Sequence, residues 1–243
     1  MFQIFKSIYT KPLFHGLCDI HNHLLPGIDD GSKNLSMTQE MLEGLGQLGF
    51  HSLWFTPHIF EELYPNTPHT IQKSYDLVFK ELKCAPSIEI KGHAAEYMVD
   101  ESFYESIAKK KPSQLIKNQY LLIEMNLFGN SQILEEVGFQ INQMNLYPIL
   151  AHPERYLSIK TMEKFKELKN KGFYFQLNAL SLMGFYGKFV KKKALEMLEM
   201  GLFNFVGTDA HHPRQIKMLS ELRLTKKQGI HWEAIRSSQL DTF

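Results

Sequence analysis

The chain has 243 residues, 44% hydrophobic and 22% charged, with a formal net charge of +1. That length and balance suit one globular unit with a large core, expected to span residues 1–243 as a single domain. The charges are spread along the chain, which argues against a nucleic-acid or membrane surface, and no run approaches the roughly 20 apolar residues of a membrane span. Cys18 and Cys84 make no disulfide framework, so a reducing cytoplasm is the expected location. Lys6 and Lys11 interrupt the apolar residues between Met1 and Leu17, and no secretory leader is expected there.

The first strand is expected over Leu17 to Ile20 and runs into Asp19-Ile20-His21-Asn22-His23. Alternate side chains of an extended segment share one side, so both imidazoles can reach one point. The glycine-bounded loop that follows adds Asp29 and Asp30, and spacing leaves open whether either is more than a turn acid. A helix over Ser36 to Leu48 stops at Gly49, and a strand over Ser52 to Thr56 leads to Pro57-His58. Glu61 to Pro68 reads as a loop over the site, and Thr70 to Leu82 as a helix.

Strands are expected over Ile88 to Ala95, just before Glu96, and over Tyr120 to Glu124. A carboxylate at the end of an apolar strand is costly to desolvate unless it meets a cation. A helix over Ser131 to Met144 precedes a strand over Tyr147 to Ala151, which leads into His152-Pro153-Glu154-Arg155-Tyr156. Next come a helix over Ile159 to Asn170 ended by Gly172, a strand over Phe173 to Leu177 with Asn178 beyond it, and a helix over Lys188 to Met200 ended by Gly201. The last strand, Phe203 to Gly207, is followed by Thr208-Asp209-Ala210-His211-His212 and by helices around Arg214 to Leu222 and His231 to Ser237. Lys109 to Lys111 and Lys191 to Lys193 read as helix termini or solvated helix faces.

Seven strands alternating with helices imply a parallel sheet covered by helices. Ligand-type side chains at nearly every strand end favour a closed barrel, which converges its strand C-termini, over an open sheet. The expected fold is an α/β (β/α)7 barrel, a distorted relative of the eight-stranded TIM barrel. Imidazole and carboxylate donors arriving from separate strands point to a metal site and to metallohydrolase chemistry.

Asp19 to Gly31, Thr56-Pro57-His58, His152 to Tyr156 and Thr208 to His211 together resemble the polymerase and histidinol phosphatase (PHP) superfamily. More narrowly they resemble bacterial manganese-dependent protein tyrosine phosphatases of capsule and exopolysaccharide gene clusters, the CpsB/CapC/YwqE type. The resemblance implies three divalent metal ions, manganese by family with iron or zinc as alternatives. His21, His23 and Asp209 would hold the first, bridged by Glu96 to a second completed by Glu124 and His152, with Asp30, His58 and His211 holding a third. It also implies Arg155 as the phosphate ligand and a phosphotyrosine-bearing protein as substrate, the tyrosine-rich tail of a polysaccharide-export autokinase. Such a centre lowers the pKa of shared water, giving hydroxide at neutral pH. The chain departs from the subfamily at Thr208, commonly Ser, and around Ala95-Glu96-Tyr97.

Competing readings are a phosphatase of a small phosphomonoester such as histidinol phosphate, and a catalytically silent metal-binding regulator; near-neutral charge disfavours a nuclease. Cysteine-based phosphatase chemistry is excluded, because the residues six beyond Cys18 and Cys84 are Leu24 and Ile90. Phe60, Tyr97, Phe128, Tyr156 and Tyr186 are candidates to line a slot for an aromatic ring. Asn178 and His212 are candidates to support the site, and Arg214 for a second phosphate contact against the plainer reading of a surface arginine. His15, His51, His69, His93 and His231 read as structural or solvent-facing.

Overall fold

The structure is a computed structural model that describes residues 8–82, 88–109, 112–127, 129 and 132–243. Strands β1 (Cys18–Asp19), β2 (Ser52–Phe55), β3 (His58–Ile59), β4 (Glu89–His93) and β5 (Glu96–Met98) come first. They are followed by β6 (Tyr120–Glu124), β7 (Tyr147–Ala151), β8 (Tyr174–Asn178) and β9 (Phe205–Gly207). All pair in parallel, in the orders β1-β2-β4 and β3-β5-β6-β7-β8-β9.

The two sheets are one curled wall. Pro57 has no N–H to give, and the chain breaks there into β2 and β3, while Ala94 and Ala95 separate β4 from β5. Backbone bonds cross both breaks: Ala94 N–H donates to Phe55 O at 2.7 Å and Glu96 N–H to Pro57 O at 3.0 Å. β2 with β3, and β4 with β5, are therefore broken staves, leaving seven around the wall as the sequence alternation predicts. The expected continuous strand over residues 88–95 is corrected to this broken stave, so Glu96 begins a strand rather than following one. Closure comes from β1 against β9, through a parallel bridge between Asn22 and Ala210 and a bond from Asp209 N–H to His21 O at 2.7 Å.

Period-two alternation sets what faces inward. Leu121 and Ile123 of β6 pack outward in the main core beneath the helices, while Leu122 joins Cys18, Ile20, Ile149, Ala151 and Phe205 inside the barrel. By the same parity Glu124 ends β6 on the inner side, and Gln176 and Asn178 share the inner side of β8. Below them Tyr120, Tyr147, Tyr174, Phe205 and Phe243 form a ring cluster, with Tyr174 stacked on Phe205 at 5.6 Å.

The helices are α1 (Leu35–Leu48), α2 (Pro68–Glu81), α3 (Glu101–Ala108), α4 (Gln132–Gln143), α5 (Met162–Asn170), α6 (Ala179–Met183), α7 (Lys188–Glu199), α8 (Pro213–Leu219) and α9 (Lys226–Thr242). Several start after side-chain caps: Asn34 accepts from Met37 N–H, and Thr161 from Lys164 N–H, which moves the start of α5 past Ile159. Gly49, Gly172 and Gly201 all adopt positive φ after their helices. The helices α3 and α6 are additions to the expected set. No helix among the described residues is long and apolar enough to cross a membrane.

Lys193 corrects the reading of residues 191–193 as a solvated face. Lys191 and Lys192 are exposed, but Lys193 is buried, its ammonium donating to Tyr156 O at 2.6 Å and Ile159 O at 2.9 Å. It braces the loop after β7 from below. Lys109 is exposed as expected, and Lys110 and Lys111 lie outside the described residues.

Gln239 of α9 holds the closing strands at the base. Its Nε2 donates to Cys18 O at 2.6 Å and Val206 O at 2.8 Å, and its Oε1 accepts Val206 N–H at 2.8 Å. Gln239→Leu removes these bonds and strands a buried N–H, so urea denaturation is expected to show a loss of about 2–4 kcal/mol. A change within about 0.5 kcal/mol would mean that the closure does not depend on this side chain.

Candidate metal centre

His21 and His23 leave the end of β1 with their Nε2 atoms 3.3 Å apart. The loop behind them folds back so tightly that a Cβ on Gly31 would lie 2.0 Å from His23 O, which only glycine tolerates. This fold separates the two acids that spacing left equivalent. Asp29 Oδ2 lies 2.9 Å from His23 Nδ1 and accepts His58 N–H at 3.2 Å, so it holds the histidines from behind. Asp30 instead presents Oδ1 to His58 Nε2 at 3.5 Å and to His211 Nε2 at 3.4 Å.

Three groups of donors gather within 4.8 Å: His21, His23, Glu96 and Asp209; His23, Asp30, His58 and His211; and His58, Glu96 and Glu124. Glu96, fully buried, joins the first and third. His152 stands beside the third group, its Nε2 3.1 Å from Glu96 Oε1 and 3.7 Å from Glu124 Oε2. The grouping differs in detail from the assignment by resemblance, because His58 turns Nδ1 toward Glu96 and Glu124 while its Nε2 faces Asp30.

The electrostatics of the cluster call for cations. Burial opposes charge on Glu96 and Asp209, yet His21 and the surrounding rings hold both carboxyls well below the usual range. Burial alone would also raise Asp30, but His211 and His58 hold it near about 2. Conversely, burial opposes protonation of His23, and Asp209 and Asp29 overcome it, raising its pKa well above the ordinary value. Glu96 Oε2 still lacks a hydrogen bond although His21 Nε2 and His58 Nδ1 lie 3.1 Å away. A buried carboxylate oxygen facing imidazole nitrogens without bonding them fits divalent ions among mixed oxygen and nitrogen donors.

The rings are aimed by partners behind them. Gln176 Oε1 lies 2.8 Å from His21 Nδ1 and also accepts His152 N–H at 3.2 Å; His211 Nδ1 lies 2.9 Å from Asp209 O. With Asp29 behind His23, each of these three rings has an acceptor at Nδ1 and its Nε2 toward the cluster. His152 and Asp209 take the left-handed backbone, at φ 33° and 48°, where the chain turns sharply off β7 and β9. Asp19 ties the two closing strands beneath, accepting Thr208 N–H at 3.0 Å and its hydroxyl at 2.7 Å.

Asp209 divides its oxygens. Oδ1 lies 3.2 Å from His23 Nε2 and 3.4 Å from His21 Nε2, whereas Oδ2 accepts from Arg155 Nη1 at 2.8 Å and from Asn178 Nδ2 at 2.8 Å. The Arg155 guanidinium lies 4.3 Å from the centroid of the Tyr186 ring, and the same Asn178 amide donates to the Tyr186 hydroxyl. Arg155 and the cluster open on one cleft of about 450 Å³, whose walls include Phe60, Leu63 and Tyr64.

Other sequence candidates fall elsewhere. Tyr97 is buried and accepts Gln114 N–H; Tyr156 is buried and links Ala151 O to Met125 N–H, so both are framework. Arg214 is exposed near the start of α8, apart from the cleft, and His212 caps that helix. Phe128 and Cys84 lie outside the described residues. Cys18 is buried and its thiol is pushed up to about 12 by desolvation, which removes it as a nucleophile at neutral pH. Gln176 and Tyr64 were missing from the sequence candidates; the inward parity of Gln176 with Asn178 was the available signal for the first.

Residues 17–230 match the family described as capsular polysaccharide synthesis, CpsB/CapC. Tyrosine-protein phosphatase YwqE of Bacillus subtilis is 29% identical over 199 residues, covering 81% of this chain and 78% of that protein. Tyrosine-protein phosphatase CpsB of Streptococcus pneumoniae is 27% identical over 202 residues, covering 81% and 83%. Among solved structures, one from a study of YwqE and CpsB, described as unique metal-dependent tyrosine phosphatases, aligns with a TM-score of 0.76 at 24% identity, over 93% of this chain and 94% of that one. The shared barrel and the match along most of its length place this chain in the CpsB/CapC family.

Proposed function

We propose that this chain is a metal-dependent protein-tyrosine phosphatase, a single domain working in the cytoplasm on a phosphotyrosine-bearing protein. The observation that carries this reading is the division of Asp209 between the histidine nest and Arg155, which sets an anion-binding guanidinium against the place where cations would gather. The relatives named as tyrosine-protein phosphatases support the substrate class. The tyrosine-rich tail of a bacterial autokinase is the proposed partner.

His21, His23, Glu96 and Asp209, then Glu96, Glu124 and His152, then Asp30, His58 and His211 would hold three divalent ions, proposed to be manganese. When bound, such ions supply Lewis acidity, bringing the pKa of water toward neutrality and offsetting phosphoryl charge. Arg155 would bind the phosphoryl oxygens, since a guanidinium has five N–H donors and only one is engaged by Asp209 here. Tyr186 and Asn178 keep Arg155 in place, and Gln176 and Asp29 hold the imidazole tautomers. A tyrosine leaving group, with a pKa near ~10, needs less acid assistance than an alkoxide.

Chelation should abolish turnover of a phosphotyrosyl peptide, and added manganese should restore it; chelator-resistant turnover, or a large preference for histidinol phosphate, would defeat the reading. Arg155→Ala should lower kcat/KM by roughly 100-fold with metal content close to wild type. Loss of metal in that variant, measured by elemental analysis, would make Arg155 a structural partner of Asp209.

Metal removal should also change the pH dependence of stability. Without metal, burial and His23 oppose charge on His58, but Glu96 and Glu124 outweigh them and raise its pKa to about 10. The stability this adds is complete below the ordinary value of 6.5 and lost as the pH rises through about 10. The Tm of chelator-treated protein should therefore fall between roughly pH 7 and 10. Manganese-loaded protein, whose imidazoles are neutral ligands, should lack this component; parallel melting curves would sink the idea.

A further inference from the structure

We infer that the short hairpin Phe60 to Tyr64, pinned by Asn66, is a wall that receives the aromatic ring of an O-aryl phosphate. This rests on the phosphatase reading above and names the part of the cleft that would select its substrate.

The cleft is chemically mixed. β3, β5 and β6 are neighbours in the sheet, and the segments at their ends supply Phe60, Leu63, Tyr64, Met98, Met125 and Leu127. With the exposed Asn126 among them, these residues make that part of the lining mostly apolar. Arg155 and Asp209, from the ends of β7 and β9, line the same cleft and carry its anion-binding donor. A phosphoryl group held by Arg155 and the cluster would leave its organic substituent against the apolar part. Leu63 is 63% exposed at the lip of this cleft, so its side chain is open to a ligand.

The wall is held by its own hydrogen bonds. Phe60 and Tyr64 exchange backbone bonds, Phe60 N–H to Tyr64 O at 3.0 Å and Tyr64 N–H to Phe60 O at 2.7 Å. The Tyr64 ring lies nearly parallel to the His58 ring, at 12° with centroids 5.4 Å apart. Asn66 Nδ2 donates to Ile28 O at 2.8 Å and to His58 O at 2.9 Å, and Asn66 Oδ1 accepts the Thr70 hydroxyl at 3.1 Å. One amide thus joins the hairpin, the loop carrying Asp30, the segment carrying His58 and the first turn of α2. A hydrogen-bonded hairpin that carries Phe60, Leu63 and the Tyr64 ring suits a planar ring, which it would bind with little loss of conformational entropy on the protein side. It offers little to a polar, flexible alkyl phosphate.

The test uses the full manganese-loaded chain with phosphotyrosyl and phosphoseryl peptides of one sequence, and with benzylphosphonate and methylphosphonate as non-hydrolysable probes. Leu63→Ser, at an exposed position, and Phe60→Ala should each lower the ratio of phosphotyrosyl to phosphoseryl kcat/KM by roughly tenfold or more. Each should weaken benzylphosphonate binding relative to methylphosphonate by a similar factor. Asn66→Ala should reduce the same ratio by releasing the hairpin. If metal content and folding hold while both ratios stay at their wild-type values in Leu63→Ser and Phe60→Ala, the wall does not select the ring and the inference is overturned. A wild-type protein that ignores phosphotyrosyl peptide while cleaving other phosphomonoesters would instead defeat the phosphatase reading, a separable result.

Discussion

The carboxylate of Glu96 is the constraint around which the rest of the barrel mouth is arranged. It is fully buried, faces imidazole nitrogens from His21, His23, His58 and His152, and keeps one oxygen without a hydrogen bond. Removing such a group from water is tolerable only if positive charge meets it. Five histidines and Arg155 surround the acids, which raise the pKa values of His23 and His58 against the effect of burial. The irregularity within β4 delivers Glu96 to this position. Pairing steps from Leu53 with Ile90 to Trp54 with Gly92, which leaves Lys91 unpaired; from there one register and one alternation run across the β4–β5 gap, with Ala94 inside the barrel, Ala95 outside and Glu96 opposite His58.

Backbone strain is placed where the acids and histidines must turn inward. His152 and Asp209 occupy the left-handed region, which costs on the order of 1–3 kcal/mol per non-glycine residue. Surrounding bonds hold both turns. Gln176 takes His152 N–H, His21 O takes Asp209 N–H, and Lys193 anchors the carbonyls further along the loop after β7. The base of the barrel, with Gln239 across β1 and β9, keeps the closing strands from separating under that load.

How much of this could be read from the sequence depended on whether the determining contact was local. Tyr120–Glu124 and Tyr147–Ala151 have the expected bounds, because buried parallel strands read as unbroken apolar runs between polar turns. The histidines and acids at strand ends were visible for the same reason. The two-residue strand His58–Ile59 was not, since Pro57 and the charged stretch after it conceal a register fixed only by pairing with β5. Lys193 looked like one of three surface lysines, because its carbonyl partners lie more than thirty residues away. Spacing could not tell Asp29 from Asp30, which only the resemblance separated; in the fold the Gly31 turn presses Asp29 against His23 and leaves Asp30 facing His58 and His211.

The shared use of Asp209 bears on how the proposed chemistry would be coordinated. One oxygen is directed at the histidine nest, the other holds Arg155, and Asn178 and Tyr186 complete the shell on the arginine side. Arg155 can keep Nη1 on Asp209 and still present its remaining donors to a phosphoryl group, so anion binding need not break the pair. A cation drawing on Oδ1 would leave Oδ2 less able to neutralise the guanidinium. Metal loading would then make Arg155 a stronger anion receptor, linking the two halves of the site through one carboxylate rather than through a moving part.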